Sequence, residues 1–243
     1  MIDAVIFDLD GVILQTEEVW DEVRGNYIRE QGGRYDARAQ RAMMGMSAPE
    51  WSQYVHEELG VPATPRAVNA EIVRRMEARY RKQLPLVPGA RAAVERLAAR
   101  WPLGLASSSN RPLIDAALEL SGLGKLFAAT ASSEEVAAGK PAPDVYLEAA
   151  RRLGVESGSC AAVEDSHSGI RSARAAGMRV VAIPNPSYPP DAAALEEADV
   201  VLRSIAELTP DAVAPGHTRQ RSPSNHFPAQ GGEAGSTHHP LRA

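Results

Sequence analysis

Ala4-Val5-Ile6-Phe7 is a short, unbroken apolar run, β-branched and aromatic, that stops abruptly at Asp8. A run this short without polar alternation suits a strand covered on both faces, as in a parallel sheet. Similar runs occur at Leu103-Gly104-Leu105-Ala106, Cys160-Ala161-Ala162-Val163 and Arg179-Val180-Val181-Ala182-Ile183. A weaker one spans 127–130, and Val200-Val201-Leu202 is a candidate edge. Between them, apolar positions recur at helical spacing. Residues 90–100 place Ala90, Val94, Leu97 and Ala98 on one face, and 112–120 follow Asn110 and end near Gly122. Residues 143–153 close on Gly154 and 168–176 on Gly177, the residue that best ends a helix in the left-handed conformation. This alternation from about residue 90 to 208 predicts an α/β fold, a doubly wound and mostly parallel sheet.

Residues 15–85 break the alternation. The span 16–31 reads as a helix, Ser47-Ala48-Pro49-Glu50 is a capping-box pattern opening another to Leu59, and Thr64-Pro65 opens a third to about Gln83. No strand pattern occurs there. The expected organisation is therefore a core of residues 1–14 and 86–210 with an all-α cap inserted at 15–85. After Leu208 the pattern dissolves into Pro, Gly, Ser and His, and residues 211–243 read as a disordered tail. Four of the six histidines (His217, His226, His238 and His239) fall in it.

Composition narrows the function classes. A net charge of −5 gives no electrostatic footprint for nucleic acid, and any anionic ligand needs locally concentrated cations, for which a metal ion is the simplest source. No apolar stretch reaches membrane-spanning length, and Met1-Ile2-Asp3 enters an apolar run without a basic leader, so the expected location is cytoplasmic. The single cysteine, Cys160, lies in an apolar run and reads as a small buried hydrophobe.

Polar clusters follow four of the apolar runs: Asp8-Leu9-Asp10-Gly11, Ser107-Ser108-Ser109, Gly139-Lys140-Pro141 and Glu164-Asp165. In an open α/β sheet, ligands bind beyond the carboxyl ends of the strands, so these four should converge. The spacing of Asp8 and Asp10 puts both carboxylates on one side of a strand end. The serines can cradle a phosphate or simply form a polar turn, and Lys140 is held between Gly139 and Pro141. Glu164 and Asp165 are hard oxygen donors suited to Mg²⁺. Each cluster taken singly also describes an ordinary solvated loop; their joint occurrence points to a site. Met43, Met44, Met46, Trp51 and Tyr54 read equally well as pocket lining or as helix packing.

The four clusters, extended to Phe7-Asp8-Leu9-Asp10-Gly11-Val12, Gly139-Lys140-Pro141-Ala142-Pro143-Asp144 and Val163-Glu164-Asp165-Ser166-His167-Ser168-Gly169-Ile170, resemble in order the motifs of the haloacid dehalogenase superfamily. The helical insert is similar to the small cap of its beta-phosphoglucomutase-like and phosphoglycolate-phosphatase-like branch, which implies a Rossmann-like core. The resemblance implies roles as well. Asp8 becomes the nucleophile and a Mg²⁺ ligand, and Asp10 the acid/base, its backbone carbonyl also on the metal. Ser107, the Ser108 N–H and Lys140 hold the phosphoryl group, while Glu164 and Asp165 complete the metal site. His167 receives no role. Metal-independent dehalogenases lack the second aspartate, so Asp10 implies phosphoryl transfer.

The expected activity is Mg²⁺-dependent hydrolysis of a small phosphorylated metabolite, such as a sugar phosphate or phosphoglycolate-like monoester, through an aspartyl-phosphate, by a monomer or weak dimer. The alternatives are a sugar-phosphate mutase and an inactive phosphate-binding module. The mutases that the chain resembles carry a histidine where this chain has Trp20 and an arginine where it has Ala48, and Gln15 replaces an aspartate common in the branch. Arg24 or Arg34 could stand in for that arginine.

Overall fold

The six apolar runs form strands at Ala4–Phe7 (β1), Leu103–Ser107 (β2), Phe127–Ser132 (β3), Cys160–Glu164 (β4), Arg179–Ala182 (β5) and Val200–Val201 (β6). The structure, a computed structural model, describes residues 1–43 and 46–216. All pairings are parallel and the order is β3-β2-β1-β4-β5-β6, so the chain starts in the middle of the sheet and winds outward in both directions.

Between β1 and β2 lie α1 (Glu17–Glu30), α2 (Ala37–Met43), α3 (Ala48–Glu57), α4 (Pro65–Lys82) and α5 (Ala90–Ala98). Then α6 (Arg111–Ser121) follows β2, α7 (Asp144–Leu153) follows β3, and α8 (His167–Ala175) follows β4. Last come α9 (Ala192–Glu197) after β5 and α10 (Pro210–Val213) after β6.

Both faces of the sheet are covered. Successive β1 side chains point opposite ways, so Val5 and Phe7 pack with Val94 and Leu97 of α5 and Ile114 of α6. Ala4 and Ile6 pack with Tyr146 of α7 and Ile170 of α8 on the other side. This two-sided burial is why the strands read as continuous apolar runs.

The sheet's first apolar layer continues without a break into the inserted helices, through Val23, Ile28, Val55, Val68 and Met76. Local chemistry starts these helices where expected: the Glu50 carboxylate accepts from Ser47 N (2.7 Å) and Oγ (2.6 Å), and Thr64 Oγ1 accepts from Ala67 N (3.3 Å). The chain leaves and re-enters the core side by side. Leu14 and Leu86 form an antiparallel bridge, flanked by bonds from Gln15 N to the Pro85 carbonyl (2.8 Å) and from Val87 N to the Ile13 carbonyl (2.9 Å).

Three short helices, α2, α9 and α10, had no counterpart in the sequence pattern. The last moves a boundary. Residues 211–213, expected in a disordered tail, belong to α10, and Ala212 and Val213 are buried in the first apolar layer. Residues 217–243, with the four tail histidines, lie outside the described residues, as do Met44 and Gly45.

Candidate active site

Because β1 lies between β2 and β4, the residues just past these three strands meet. Phe7 registers with Leu105 and Val163, and Asp8 N donates to the Val163 carbonyl (3.0 Å), which fixes Asp8 at the carboxyl edge of the sheet. Lys140 reaches the same point from the loop before α7. Its ammonium, buried, donates to Asp8 Oδ1 (2.6 Å), Glu164 Oε1 (2.6 Å) and the Ala106 carbonyl (3.1 Å). Burial opposes that charge, but the Asp8 and Glu164 carboxylates outweigh it and hold the ammonium above the ordinary lysine range.

Glu164 is fully enclosed and heavily satisfied. Besides Lys140 it accepts from the Tyr146 hydroxyl (2.8 Å), Asp165 N (3.0 Å), Ser166 N (3.3 Å) and Ser166 Oγ (3.2 Å). This packing explains Gly169: a Cβ there would overlap the Glu164 carboxylate. Gly11 has the same function for Asp165, whose carboxylate lies where a Cβ of residue 11 would be, and its φ of +86° also favours glycine.

Asp8, Glu164 and Asp165 each bring a carboxylate oxygen into one group within 4.8 Å. Burial raises the Asp8 carboxyl well above its usual range against the pull of Lys140, with Glu164 and Asp10 adding to the rise. Burial raises Asp165 in the same way, helped by Glu164 and Asp8. Three buried carboxylates thus share one ammonium. Asp165 accepts no hydrogen bond among the described residues, and Asp8 uses only one oxygen. Two such carboxylates fit a hard divalent cation, which takes one or two carboxylates and completes its shell with water and phosphate.

Asp10 faces elsewhere. Thr16 Oγ1 donates to its Oδ1 (2.5 Å) and Ser109 Oγ to its Oδ2 (2.7 Å), with Ser107 Oγ farther off at 3.4 Å. Its carboxylate is outside the acidic group formed by Asp8, Glu164 and Asp165. Ser107 is fully buried and also accepts from Ser109 N (3.0 Å); Ser108, Ser109 and Asn110 reach the open space.

That space is a cleft of about 460 Å³ between the sheet edge and the inserted helices. Asp8, Asp10, Lys140 and Asp165 line its floor, and Trp20, Arg24, Met43, Met46 and Trp51 line its roof. A hydrogen bond from Gln40 Nε2 to the Tyr188 hydroxyl (2.8 Å) joins roof to rim.

The model of the haloacid dehalogenase-like hydrolase family matches residues 2–177. The chain belongs to this family. It is 32% identical over 212 residues to hexitol phosphatase B of Escherichia coli, a match covering 85% of this chain and 94% of that one. It is 31% identical over 207 residues to the bifunctional riboflavin kinase/FMN phosphatase of Arabidopsis thaliana; that match covers 84% of this chain but only 54% of the larger protein. Among solved structures, CbbY from Rhodobacter sphaeroides in complex with phosphate superposes with a TM-score of 0.79 at 25% identity, covering 88% and 99% of the two chains.

Within this family member, Asp8, Lys140, Glu164 and Asp165 form one contiguous cluster, with Asp10 and Ser108 facing the same cleft. His167, the exposed first residue of α8, stands at the cleft wall. Of the roof residues read as lining or packing, Met43, Met46 and Trp51 line the cleft and Tyr54 does not, while Met44 lies outside the described residues. The sequence gives no site signal for Thr16, which reads as a helix start, or for Tyr146, inside the helical span 143–153, and it does not distinguish Ser109 from the other two serines of its cluster.

Proposed function

We propose that this protein is a Mg²⁺-dependent phosphatase that releases phosphate from a small phosphorylated metabolite through an aspartyl-phosphate on Asp8. The observation that carries the proposal is the buried meeting of Asp8, Lys140 and Asp165 on the floor of a cleft that Asp10 also faces. Asp8 sits on a rigid strand end with one oxygen fixed by Lys140, leaving the carboxylate held for attack on phosphorus. Ser108 would take a phosphoryl oxygen, and Lys140, whose three donors go to Asp8, Glu164 and the Ala106 carbonyl, would turn one of them to the phosphoryl group while Glu164 keeps it oriented.

Asp10 hands a proton to the departing oxygen and takes one from the water that opens the acyl-phosphate. Both of its oxygens now accept from hydroxyls, the arrangement that suits the base. As the acid, Asp10 would aim its proton into the cleft at the departing oxygen, with the Thr16 and Ser109 hydroxyls on its other lone pairs. Asp8 and Asp165, with the Asp10 carbonyl, would hold Mg²⁺, which when bound offsets charge on the transferring group. Glu164 orients Lys140 at the same centre.

Relatives named as a hexitol phosphatase and an FMN phosphatase support a phosphorylated polyol or sugar-like substrate. Hydrolysis is favoured over isomerisation because Trp20, which lines the cleft, has no basic nitrogen to relay a proton. Of the substitute arginines, Arg24 lines the cleft and Arg34 does not, so Ala48 by itself is no argument against phosphoryl return. A cytoplasmic monomer or weak dimer completes the proposal. Among the described residues no helix is long and apolar enough to cross a membrane.

The test is phosphate release over a panel of phosphorylated metabolites, run beside Asp8→Asn. The amide keeps the shape but forms no acyl-phosphate, so turnover should drop by about 10³-fold or more in a variant that melts no lower than wild type. Chelator should silence the wild type, and Mg²⁺ should restore it better than Zn²⁺. Activity that persists in folded Asp8→Asn, or in excess chelator, overturns the proposal. With β-glucose-1-phosphate and a trace of its bisphosphate, phosphate should appear faster than glucose-6-phosphate; the reverse makes the chain a mutase.

A further inference from the structure

The roof of the cleft rests on the floor at a glycine. A Cβ placed at Gly139 would lie 3.2 Å from Ser47 Cβ, 3.8 Å from Ser47 Oγ and 3.9 Å from Ser133 Cβ. Gly139 precedes Lys140 in the loop before α7, whereas Ser47 caps α3 in the inserted helices. The backbone at 139 does not call for glycine, since it lacks the positive φ of Gly11 or Gly154. What excludes a side chain there is Ser47.

Neither partner has slack. Ser47 is buried and tied into the first turn of α3: its N–H donates to the Glu50 carboxylate (2.7 Å), and its carbonyl accepts from Trp51 N (3.0 Å). Trp51 is itself buried in the apolar layer that the roof shares with the sheet. On the other side, the Gly139 carbonyl accepts from Ala142 N (2.9 Å), and Lys140 is held by Asp8, Glu164 and the Ala106 carbonyl. The seam continues past Ser133. Asn110 Nδ2 donates both to Glu134 Oε1 (2.6 Å) and to Asn69 Oδ1 of α4 (3.1 Å). A methyl group at 139 is therefore admitted only by lifting α3 as a unit or by shifting the loop that carries Lys140.

We infer that Gly139 is a positioning residue, the seat on which the start of α3 settles when the cleft closes. The roof reaches its closed position only because residue 139 has no side chain. This rests on the phosphatase proposal for its bearing on rate, since a closed roof keeps bulk water from the phosphoryl centre. It gives the glycine before Lys140 a role separate from holding the lysine: it sets how far the roof comes down.

The experiment is a double-mutant cycle of wild type, Gly139→Ala, Ser47→Gly and the two combined. It reads kcat, with p-nitrophenyl phosphate and with the fastest substrate of the metabolite panel, and acrylamide quenching of tryptophan fluorescence. Trp20 and Trp51 line the cleft, while Trp101 lies before β2 at its amino end and donates to the Ile2 carbonyl, so added quenching reports the roof. Gly139→Ala should lower kcat by about tenfold and raise the quenching. Ser47→Gly removes the two nearest atoms but keeps the N–H to Glu50, and alone it should change kcat by less than about threefold. Combined with Gly139→Ala, it should bring kcat and quenching back to the level of Ser47→Gly alone. A Gly139→Ala protein that matches wild type, or a loss that Ser47→Gly leaves in place, overturns the inference. Should Gly139→Ala fail to fold, a folded double variant supports the inference and an unfolded one overturns it. Failure of the phosphatase proposal looks different: none of the four proteins releases phosphate, yet the quenching still follows the cycle.

Discussion

At the scale of single residues, the site is governed by how tightly side chains approach backbone. Gly169 has no room for a methyl group because the Glu164 carboxylate occupies it. Gly169→Ala should therefore cost about 1–3 kcal/mol through overpacking and displace the partner that orients Lys140. Urea unfolding and kcat together check this; a variant matching wild type in both would show that Glu164 has slack. The residues legible beforehand were those that end a buried apolar run in a charge, namely Asp8, Glu164 and Asp165, together with Lys140 between its glycine and proline. Thr16 and Tyr146 escaped, and Ser109 did not stand out from its neighbours, because a hydroxyl in a helix or turn has the same sequence appearance whether it caps a helix or binds a carboxylate. Only the fold brings the Tyr146 hydroxyl to Glu164, 18 positions along the chain.

At the scale of elements, strands covered on both faces were readable because two-sided burial leaves an uninterrupted apolar signature. β3 was fainter, since Ala, Thr and Ser supply every position after Phe127 and it stands at the sheet edge beside β2 alone. Short helices were invisible: α2, α9 and α10, at seven, six and four residues, are too brief for a helical period to build up. α10 is nonetheless anchored. Ending the chain after Pro210 rather than after Gly216 removes the buried Ala212 and Val213 and should lower stability by about 2 kcal/mol. Thermal melts of the two truncations decide this, and equal melting temperatures would mean that α10 contributes nothing.

For the molecule as a whole, the cleft is closed by few polar ties. The Gln40–Tyr188 hydrogen bond joins α2 to the loop after β5, and Asn110 Nδ2 donates to Asn69 Oδ1 of α4 (3.1 Å) across from the start of α6. Losing one such bond costs about 1 kcal/mol, so Tyr188→Phe should favour opening by roughly fivefold. Amide exchange in α2 should quicken by that factor while exchange in β1 and β4 stays as it was. Unchanged exchange in α2 would show that apolar contact alone keeps the cleft shut.

The paired crossing at Leu14 and Leu86 bears on how such a chain can be re-engineered. Since the inserted helices begin and end at adjacent points on one small ladder, they amount to a loop with closed ends. Another insert of any length could be spliced there without stretching the core. The continuous apolar layer sets the condition on such grafts: α4 packs on α6, and Val23, Val55 and Met76 share one cluster with Phe7 and Ile114. A donor segment chosen only for its end-to-end distance would leave that oily surface wet. One that also brings a matching greasy underside would keep the catalytic floor and carry a new roof, and with it a new choice of substrate.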